Sequence, residues 1–186
     1  MSEGTGATPG ATASATPDAT AGAARTAAVI TVSDGVAAGV RDDESGRRLD
    51  ERLRALGFAT SRAVVPDERD AIGEAIVSAA DQCLLVVTTG GTGLTPRDVT
   101  PQATTAVLDY EVPGLAEAMR AAGRAQTPLA DLSRGVVGVR GRSLVVNVPG
   151  SPKAAIESID AIAPVLEHAL ETLAGAFDHS ARPGRG

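Results

Sequence analysis

The feature that most constrains this chain is a short apolar run that leads directly into a glycine-rich loop. Leu84-Leu85-Val86-Val87 is followed by Thr88-Thr89-Gly90-Gly91-Thr92-Gly93. A buried strand ending in such a loop is how α/β proteins present backbone N–H groups to a phosphate, because a Cβ would block positive φ and hold the ligand away. Arg97 and Asp98 come next, and they can bind an anion and hold a metal ion or orient a donor. The loop therefore predicts phosphate chemistry.

Two common phosphate-binding motifs do not fit this loop. A P-loop ends in Gly-Lys-Ser or Gly-Lys-Thr, and no lysine lies near Gly93. The dinucleotide fingerprint needs a third glycine three residues after the second, where this chain has Pro96. The loop thus indicates neither a Walker ATPase nor a Rossmann cofactor site. A purely structural alternative stays open, in which the glycines only turn the chain at the end of a strand.

Composition and periodicity predict one folded domain between two tails. Residues 1–25 are almost wholly Ala, Thr, Gly, Ser and Pro, with too few large apolar groups to offset the entropy of ordering, so we expect a disordered tail. The domain is expected over residues 26–176, followed by a flexible tail at 177–186. Strands are predicted at 27–31, 59–65, 83–88, 136–139 and 144–148, and helices at 45–56, after Glu68, at 102–108, at 115–122 and from 152 onward.

This order of elements predicts a three-layer α/β sandwich, in which helices flank a mostly parallel, mixed β-sheet. Pro164 falls inside the C-terminal helix and is expected to kink it or break it in two. In open α/β sheets, ligands bind beyond the carboxyl ends of the strands. The loops that should form a site are therefore 33–35, 66–68, 90–98 and 147–153.

Charge and composition exclude several classes of function. The net charge of −6 and the scarcity of aromatic residues argue against a nucleic-acid surface. No apolar run approaches the roughly 18 residues that a membrane span requires, so we expect a soluble, cytoplasmic protein with no membrane partner. Lys153 is the single lysine among 17 basic residues, and it lies at the predicted start of a helix, where an ammonium can help to bind an anion.

Five ordered blocks together resemble the molybdenum cofactor biosynthesis family that contains Mog, MoaB and the molybdopterin adenylyltransferase domains. The resemblance covers about residues 27 to 175. Its fold is the α/β molybdopterin-binding domain. The blocks are Ser33-Asp34 with Asp43-Glu44-Ser45-Gly46, Pro66-Asp67-Glu68, Thr88 to Gly93 continuing through Arg97-Asp98-Val99-Thr100-Pro101, Pro113-Gly114, and Asn147 to Lys153.

The resemblance implies that the chain binds molybdopterin and transfers AMP to it from ATP, with release of pyrophosphate. It also implies Mg²⁺, a homotrimer or hexamer, and handover of the product to a molybdate-inserting protein. The two key aspartates of the family match Asp67 and Asp98, which would be catalytic and would organise the metal. The substrate-binding residues would be Ser33, Asp34, Gly90, Gly91, Thr92, Gly93, Arg97, Ser151 and Lys153. A non-catalytic molybdopterin-binding or regulatory paralogue remains the alternative.

Overall fold

The computed structural model describes Met1 and residues 25–175. The tails predicted at 1–25 and 177–186 therefore lie outside the described residues, apart from Met1 and Arg25. Arg25 contacts the folded part, since its carbonyl oxygen accepts a hydrogen bond of 2.8 Å from the backbone N–H of Ala59. Its guanidinium also lies 2.9 Å from the carboxylate of Glu167.

The described part of the chain contains six strands, six α-helices and one 3₁₀ helix. None of these helices is long and apolar enough to cross a membrane. The elements are β1 Thr26–Val32, α1 Asp34–Ala37, α2 Glu44–Ala55, β2 Ala59–Val65, α3 Arg69–Ala80, β3 Leu85–Thr89, α4 Thr100–Thr105, β4 Tyr110–Glu111, α5 Pro113–Arg124, a 3₁₀ helix at Pro128–Leu132, β5 Val137–Arg140, β6 Ser143–Val148 and α6 Pro152–Leu173.

The six strands form one mixed sheet in the order β2-β1-β3-β6-β5-β4. The first four of these strands are parallel, with Val87 of β3 opposite Val29 of β1 and Val146 of β6. Strand β5 runs antiparallel to β6, and β4 runs antiparallel to β5. The carboxyl ends of the four parallel strands therefore meet at one edge of the sheet, as expected for a ligand-binding edge.

Helices cover both faces of the sheet. Successive side chains of a strand point to opposite faces, so Val87 packs with Leu53 of α2 and the α6 side chains, whereas Val86 packs with Ile72 and Ile76 of α3. Helices α2, α5 and α6 thus form one layer, and α3 and α4 form the other. This confirms the predicted three-layer sandwich.

Helix α2 forms where the sequence predicted it, and local features at its two ends explain why. The Asp43 carboxylate accepts a 2.8 Å hydrogen bond from the backbone N–H of Gly46 and thereby caps the amino end of α2. Leu49 and Leu53 are fully buried on its apolar face. The helix ends before Gly57, whose φ of 89° is one that L-residues with side chains rarely adopt.

Three short elements were not predicted from the sequence, namely α1, β4 and the 3₁₀ helix. Strand β4 has only two residues, too few for a periodic pattern, and its ends are held by hydrogen bonds to β5 from Asp109 N–H (2.8 Å) and Val112 N–H (2.7 Å). Helix α4 begins at Thr100 rather than at the predicted 102. Pro101 is accommodated there because the first turn of a helix has N–H groups without intrahelical acceptors.

Of the two outcomes expected at Pro164, a kink or a break, the break is wrong, because α6 is one continuous helix through that residue. Ile159 and Ile162 before the proline and Leu166 and Leu170 after it are all buried in the same core cluster. Packing on both sides of Pro164 therefore stabilises the helix across the position where its backbone lacks an N–H donor.

We expect Pro164→Ala to raise the free energy of unfolding by about 1–3 kcal/mol, since it restores a helical N–H donor and removes a clash in the helix interior. Urea denaturation measures this change. Pro152→Ala is the matched control, because Pro152 is in the first turn of the same helix and should alter stability little. Equal stabilities of Pro164→Ala and the wild type would contradict the prediction.

Candidate functional site

The loops that follow β1 and β2 are joined by a reciprocal pair of hydrogen bonds. The backbone N–H of Asp34 donates to the Asp67 carboxylate at 2.8 Å, and the backbone N–H of Asp67 donates to the Asp34 carboxylate at 3.0 Å. Each aspartate therefore fixes the other loop through its main chain. The structure brings these two predicted residues together at the carboxyl edge of the sheet.

Arg97 joins this pair from the loop that follows β3. Its guanidinium donates a 2.6 Å hydrogen bond to the second carboxylate oxygen of Asp34. The backbone N–H of Asp67 and the Arg97 guanidinium together lower the pKa of Asp34 below its usual value. Asp34 is thus ionised at neutral pH, and it connects three of the four loops that the sequence singled out.

The glycine loop requires glycine at its first two positions. Gly90 and Gly91 have φ of 102° and 62°. A Cβ on Gly90 would lie 2.3 Å from the carbonyl oxygen of Val32, and one on Gly91 would lie 2.2 Å from the Thr100 hydroxyl. Thr100 in turn donates from its hydroxyl to the Gly90 carbonyl at 2.9 Å. The positive φ that the sequence predicted is therefore present, and the two glycines also pack too closely against Val32 and Thr100 to admit a Cβ.

Asp98 is oriented by the same loop. Its carboxylate accepts a 2.8 Å hydrogen bond from the backbone N–H of Thr95. Partial burial raises the pKa of Asp98, but hydrogen bonds from Thr95 and from the Gly93 backbone, together with the charge of Arg134, outweigh burial and leave the pKa below its usual value. The side chain therefore offers an oriented negative charge at neutral pH.

Two clefts of similar size open at this edge of the sheet. The apolar cleft, of about 500 Å³, includes Asp98 and side chains from α5, the 3₁₀ helix and α6, among them Met119 and Leu132. The polar cleft, of about 540 Å³, includes Asp67 and side chains from the β1–α2 region. Three residues line both clefts and so lie between them: Gly91, Gly150 and Ser151.

Most of the predicted site residues line one cleft or the other. Ser33, Asp67 and Gly90 line the polar cleft, Thr92, Gly93 and Asp98 line the apolar cleft, and Gly91 and Ser151 line both. The other three predicted residues, Asp34, Arg97 and Lys153, are not among the residues that line either cleft.

Lys153 lies near the start of α6 with its side chain 73 % exposed. Its ammonium nitrogen is 3.6 Å from the carboxylate of Glu157, one turn further along the helix. Glu157 lines the apolar cleft. Lys153 thus contacts a residue of the cleft wall but does not line the cleft itself.

A buried polar network holds β6 and the wall of the apolar cleft. The side-chain amide of Asn147 donates hydrogen bonds of 2.9 Å to the hydroxyls of Thr88 and Thr104, and its carbonyl oxygen accepts from the backbone N–H of Val136 at 3.2 Å. Asn147 is 1 % exposed. These three hydrogen bonds satisfy the buried side-chain amide of Asn147, which thereby orients the chain that leads to Gly150.

Arg134 supports the glycine loop from outside the two clefts, and sequence reasoning missed it. Its Nε donates a 2.6 Å hydrogen bond to the Gly93 carbonyl, and its terminal guanidinium nitrogen donates to the Asp98 carbonyl. These partners lie 41 and 36 residues away along the chain. No local pattern could therefore distinguish Arg134 from the other arginines.

The donor set fits a magnesium ion shared with phosphates better than a protein-only metal site. Among the described residues, no group of three or more His, Cys, Asp or Glu side chains could hold a metal ion. Asp67 lines the polar cleft, Asp98 lines the apolar cleft and Gly91 lines both, so each cleft could supply one carboxylate. Mg²⁺ is commonly held by one or two carboxylates plus substrate phosphates and water, so this arrangement is compatible with it.

Comparison with known proteins identifies one family. Residues 28–168 match the family described as "Probable molybdopterin binding domain". The chain is 38 % identical over 156 residues to the molybdopterin adenylyltransferase of Helicobacter pylori (strain J99), covering 80 % of this chain and 88 % of the relative. It is 40 % identical over 139 residues to the molybdopterin adenylyltransferase of Haemophilus influenzae, covering 72 % and 71 % respectively.

Solved structures show the same fold. The molybdopterin biosynthesis enzyme MoaB from Thermus thermophilus superposes with a TM-score of 0.76 and 48 % sequence identity, covering 81 % of this chain and 96 % of that one. The molybdopterin biosynthesis Mog protein from Mycobacterium ulcerans superposes with a TM-score of 0.77 and 45 % identity, covering 81 % and 99 %.

Proposed function

The chain belongs to the molybdopterin-binding-domain family of molybdenum cofactor biosynthesis, and we propose that it is a molybdopterin adenylyltransferase. Its substrates are molybdopterin and ATP, and its products are adenylyl-molybdopterin and pyrophosphate. The observation that carries this proposal is the placement of the glycine loop between two clefts, with Asp67 lining one and Asp98 lining the other. A reaction that joins two substrates needs two binding spaces that meet at the reacting phosphates.

The reaction is a transfer of an adenylyl group. A terminal phosphate oxygen of molybdopterin attacks the α-phosphorus of ATP and forms a new P–O bond. The bond between the α-phosphorus and the oxygen that bridges to the β-phosphate breaks, and pyrophosphate leaves with that oxygen. Several negative charges come together in this step, so the barrier is lowered mainly by positioning and by charge neutralisation.

The glycine loop and the two aspartates would divide these tasks. Backbone N–H groups of Gly91, Thr92 and Gly93 would bind phosphate oxygens, because glycine lets the ligand approach the main chain closely. The Gly90 N–H instead donates to the Val148 carbonyl at 3.3 Å and anchors the start of the loop. Asp67 and Asp98 would hold Mg²⁺, which would supply positive charge to the phosphates and to the departing pyrophosphate. Each is already oriented by a 2.8 Å hydrogen bond to one of its carboxylate oxygens, from Asp34 N–H and Thr95 N–H respectively.

The remaining predicted residues would support binding. Ser33 and Ser151 line the polar cleft and can donate hydroxyl groups to phosphate oxygens. Asp34 fixes Asp67 and Arg97 in place through its hydrogen bonds. Arg97, whose side chain is 60 % exposed, can exchange the Asp34 carboxylate for an incoming phosphate.

The enzyme is further proposed to act in the cytoplasm as a homotrimer or hexamer and to pass its product to a molybdate-inserting protein. Large apolar side chains are exposed on the described surface, with Leu94 at 64 %, Tyr110 at 57 % and Leu129 at 68 %. Contact between copies would bury such side chains. Light scattering tests the assembly, and a monomer at micromolar concentration would contradict it.

We expect Lys153→Ala to weaken substrate binding by about 1–3 kcal/mol, because the variant lacks a point charge near the start of α6. Titration calorimetry with molybdopterin and with ATP separately identifies the ligand concerned. Arg142→Ala serves as the control, since Arg142 donates a 2.8 Å hydrogen bond to Ala174 at the far end of α6. Unchanged affinity for both ligands in Lys153→Ala would remove the residue from the site.

The proposed function is tested by incubating the protein with molybdopterin, ATP and Mg²⁺ and detecting adenylyl-molybdopterin by mass spectrometry. Equilibrium binding of ATP and of molybdopterin is measured in parallel. Binding of molybdopterin without formation of the adenylylated pterin would indicate a non-catalytic paralogue and would refute the assignment as a transferase.

A further inference from the structure

Arg134 makes three hydrogen bonds to the segment that follows Gly91. Its backbone N–H donates to the Thr92 carbonyl at 3.0 Å and its Nε donates to the Gly93 carbonyl at 2.6 Å. Its terminal guanidinium nitrogen donates to the carbonyl of Asp98. One residue thus bridges the two ends of the loop that runs from Thr92 to Asp98.

These bonds set the direction of the peptide groups in the loop. In a trans peptide the C=O and the N–H point in opposite directions, so a carbonyl held on one side turns the next N–H to the other side. The backbone N–H of Arg134 holds the Thr92 carbonyl, whose peptide unit continues into Gly93. The Arg134 guanidinium holds the next carbonyl, that of Gly93 itself, so the side chain fixes the peptide unit on the other side of Gly93. The Asp98 carboxylate lies close to Gly93, since a Cβ on Gly93 would lie 3.0 Å from one of its oxygens, and the Gly93 backbone helps to lower the pKa of Asp98. Arg134 and Asp98 therefore both lie against Gly93.

Arg134 lies behind the loop and outside both clefts. It lines a separate, shallow groove together with Arg69, Gln102 and Thr105, whereas Gly93 and Asp98 line the apolar cleft. Its bonding donors are directed at main-chain carbonyls. Any influence on a bound substrate must therefore be transmitted through the loop.

We propose that the Arg134 side chain is a positioning residue for the adenylyl transfer, whose guanidinium holds the Gly93 and Asp98 carbonyls so that Gly93 and the Asp98 carboxylate keep their places at the cleft. This inference rests on the proposed function of the same site. It adds a residue that lines neither cleft and that no sequence block singled out.

The proposed role needs the shape of arginine as well as its charge. The guanidinium is a planar group with donors in fixed directions, so its Nε and terminal nitrogen can bond two carbonyls at once. A lysine ammonium is a compact point charge on a flexible chain and cannot hold that geometry. Arg134→Lys should therefore behave more like a deletion than like a conservative replacement.

The test compares Arg134→Ala and Arg134→Lys with Arg140→Ala. Arg140 is a matched control because it is also partly buried and also donates to a backbone carbonyl, that of Val107 at 2.7 Å, but outside the clefts. We expect kcat to fall by about tenfold in both Arg134 variants while the KM values for molybdopterin and ATP change little, since displaced groups at the reacting centre slow the chemical step. Arg140→Ala should retain the wild-type kcat.

Chemical rescue and amide exchange distinguish this role from a general loss of stability. Millimolar guanidinium chloride, far below denaturing concentrations, should restore part of kcat in Arg134→Ala and none in Arg134→Lys, whose side chain still occupies the space. Hydrogen–deuterium exchange should be faster over residues 92–98 in both variants and unchanged in Arg140→Ala. The exchange readout does not require turnover, so it remains decisive even if the wild type proves to be no transferase.

Three results would overturn the inference: a wild-type kcat in Arg134→Ala, a full return of activity in Arg134→Lys, or unaltered exchange over residues 92–98. If Arg134→Ala does not fold, kcat and hydrogen exchange are measured for Arg134→Lys instead. A wild-type kcat together with wild-type exchange in Arg134→Lys would then overturn the inference.

Discussion

Asp98→Asn is expected to lower turnover by at least about a hundredfold, which corresponds to ~2.7 kcal/mol of transition-state stabilisation. The substitution keeps the size of the side chain and leaves an oxygen that can accept the hydrogen bond from Thr95 N–H, but it removes the charge that would hold Mg²⁺ against the phosphates. The loop should therefore remain in place while the chemistry is lost. Steady-state kinetics with molybdopterin and ATP measure the change.

Asp67→Asn is expected to have an effect of the same order, because Asp67 lines the other cleft and is proposed to hold the same ion. Asp109→Asn provides the control for both variants. The Asp109 carboxylate also accepts a backbone hydrogen bond, from Gly141 N–H at 2.7 Å, at the hairpin between β5 and β6. Wild-type turnover in Asp67→Asn and Asp98→Asn would remove both residues from the catalytic centre.

Gly90→Ala is expected to lower the free energy of unfolding by about 3–5 kcal/mol. An alanine is strained at the positive φ of this position, and its Cβ would also overlap with a neighbouring atom. The new Cβ would lie 2.3 Å from the carbonyl oxygen of Val32, a main-chain atom at the end of strand β1 that cannot rotate away as a side chain could. Urea denaturation followed by circular dichroism measures the loss.

Gly57→Ala separates the two causes of that loss. Gly57 also has a positive φ, of 89°, but a Cβ there would meet no atom within 4 Å. This variant should therefore lose only about 1–2 kcal/mol, the cost of the left-handed conformation. Equal losses in Gly57→Ala and Gly90→Ala would show that close packing against Val32 does not constrain the loop.

Those parts of the fold with a local cause were predictable from the sequence. The apolar periodicity of residues 45–56 and the following Gly57 predicted α2, which the structure places at Glu44–Ala55. The apolar run before Gly90 predicted the buried strand β3. In both cases the residues that determine the element lie within it or next to it, so pattern and structure agree.

Features that depend on distant residues were not predictable in the same way. Strand β4 exists because Tyr110 and Glu111 pair with β5, and α6 continues through Pro164 because buried side chains on both sides pack in one core. Neither cause can be read from the neighbouring sequence. Tertiary packing here outweighs the local preference of proline to end a helix.

In the candidate site, too, local features were predictable from the sequence and long-range contacts were not. The glycine loop was recognisable because the residues that define it are consecutive in the sequence. The reciprocal bonds between Asp34 and Asp67 connect positions 33 residues apart, and those from the Arg134 guanidinium span still longer separations. Such contacts become visible only once the parallel strands bring their carboxyl ends to one edge of the sheet.

The most direct test of the proposed function follows the α- and γ-phosphates of ATP separately. The protein is incubated with molybdopterin and Mg²⁺ and with ATP that carries a radioactive phosphorus either at the α- or at the γ-position, and the pterin and pyrophosphate are then separated. Adenylyl transfer predicts that the α-label appears in the pterin product and that the γ-label appears in pyrophosphate. Label from the γ-position in the pterin, or no label in the pterin from either position, would contradict the assignment.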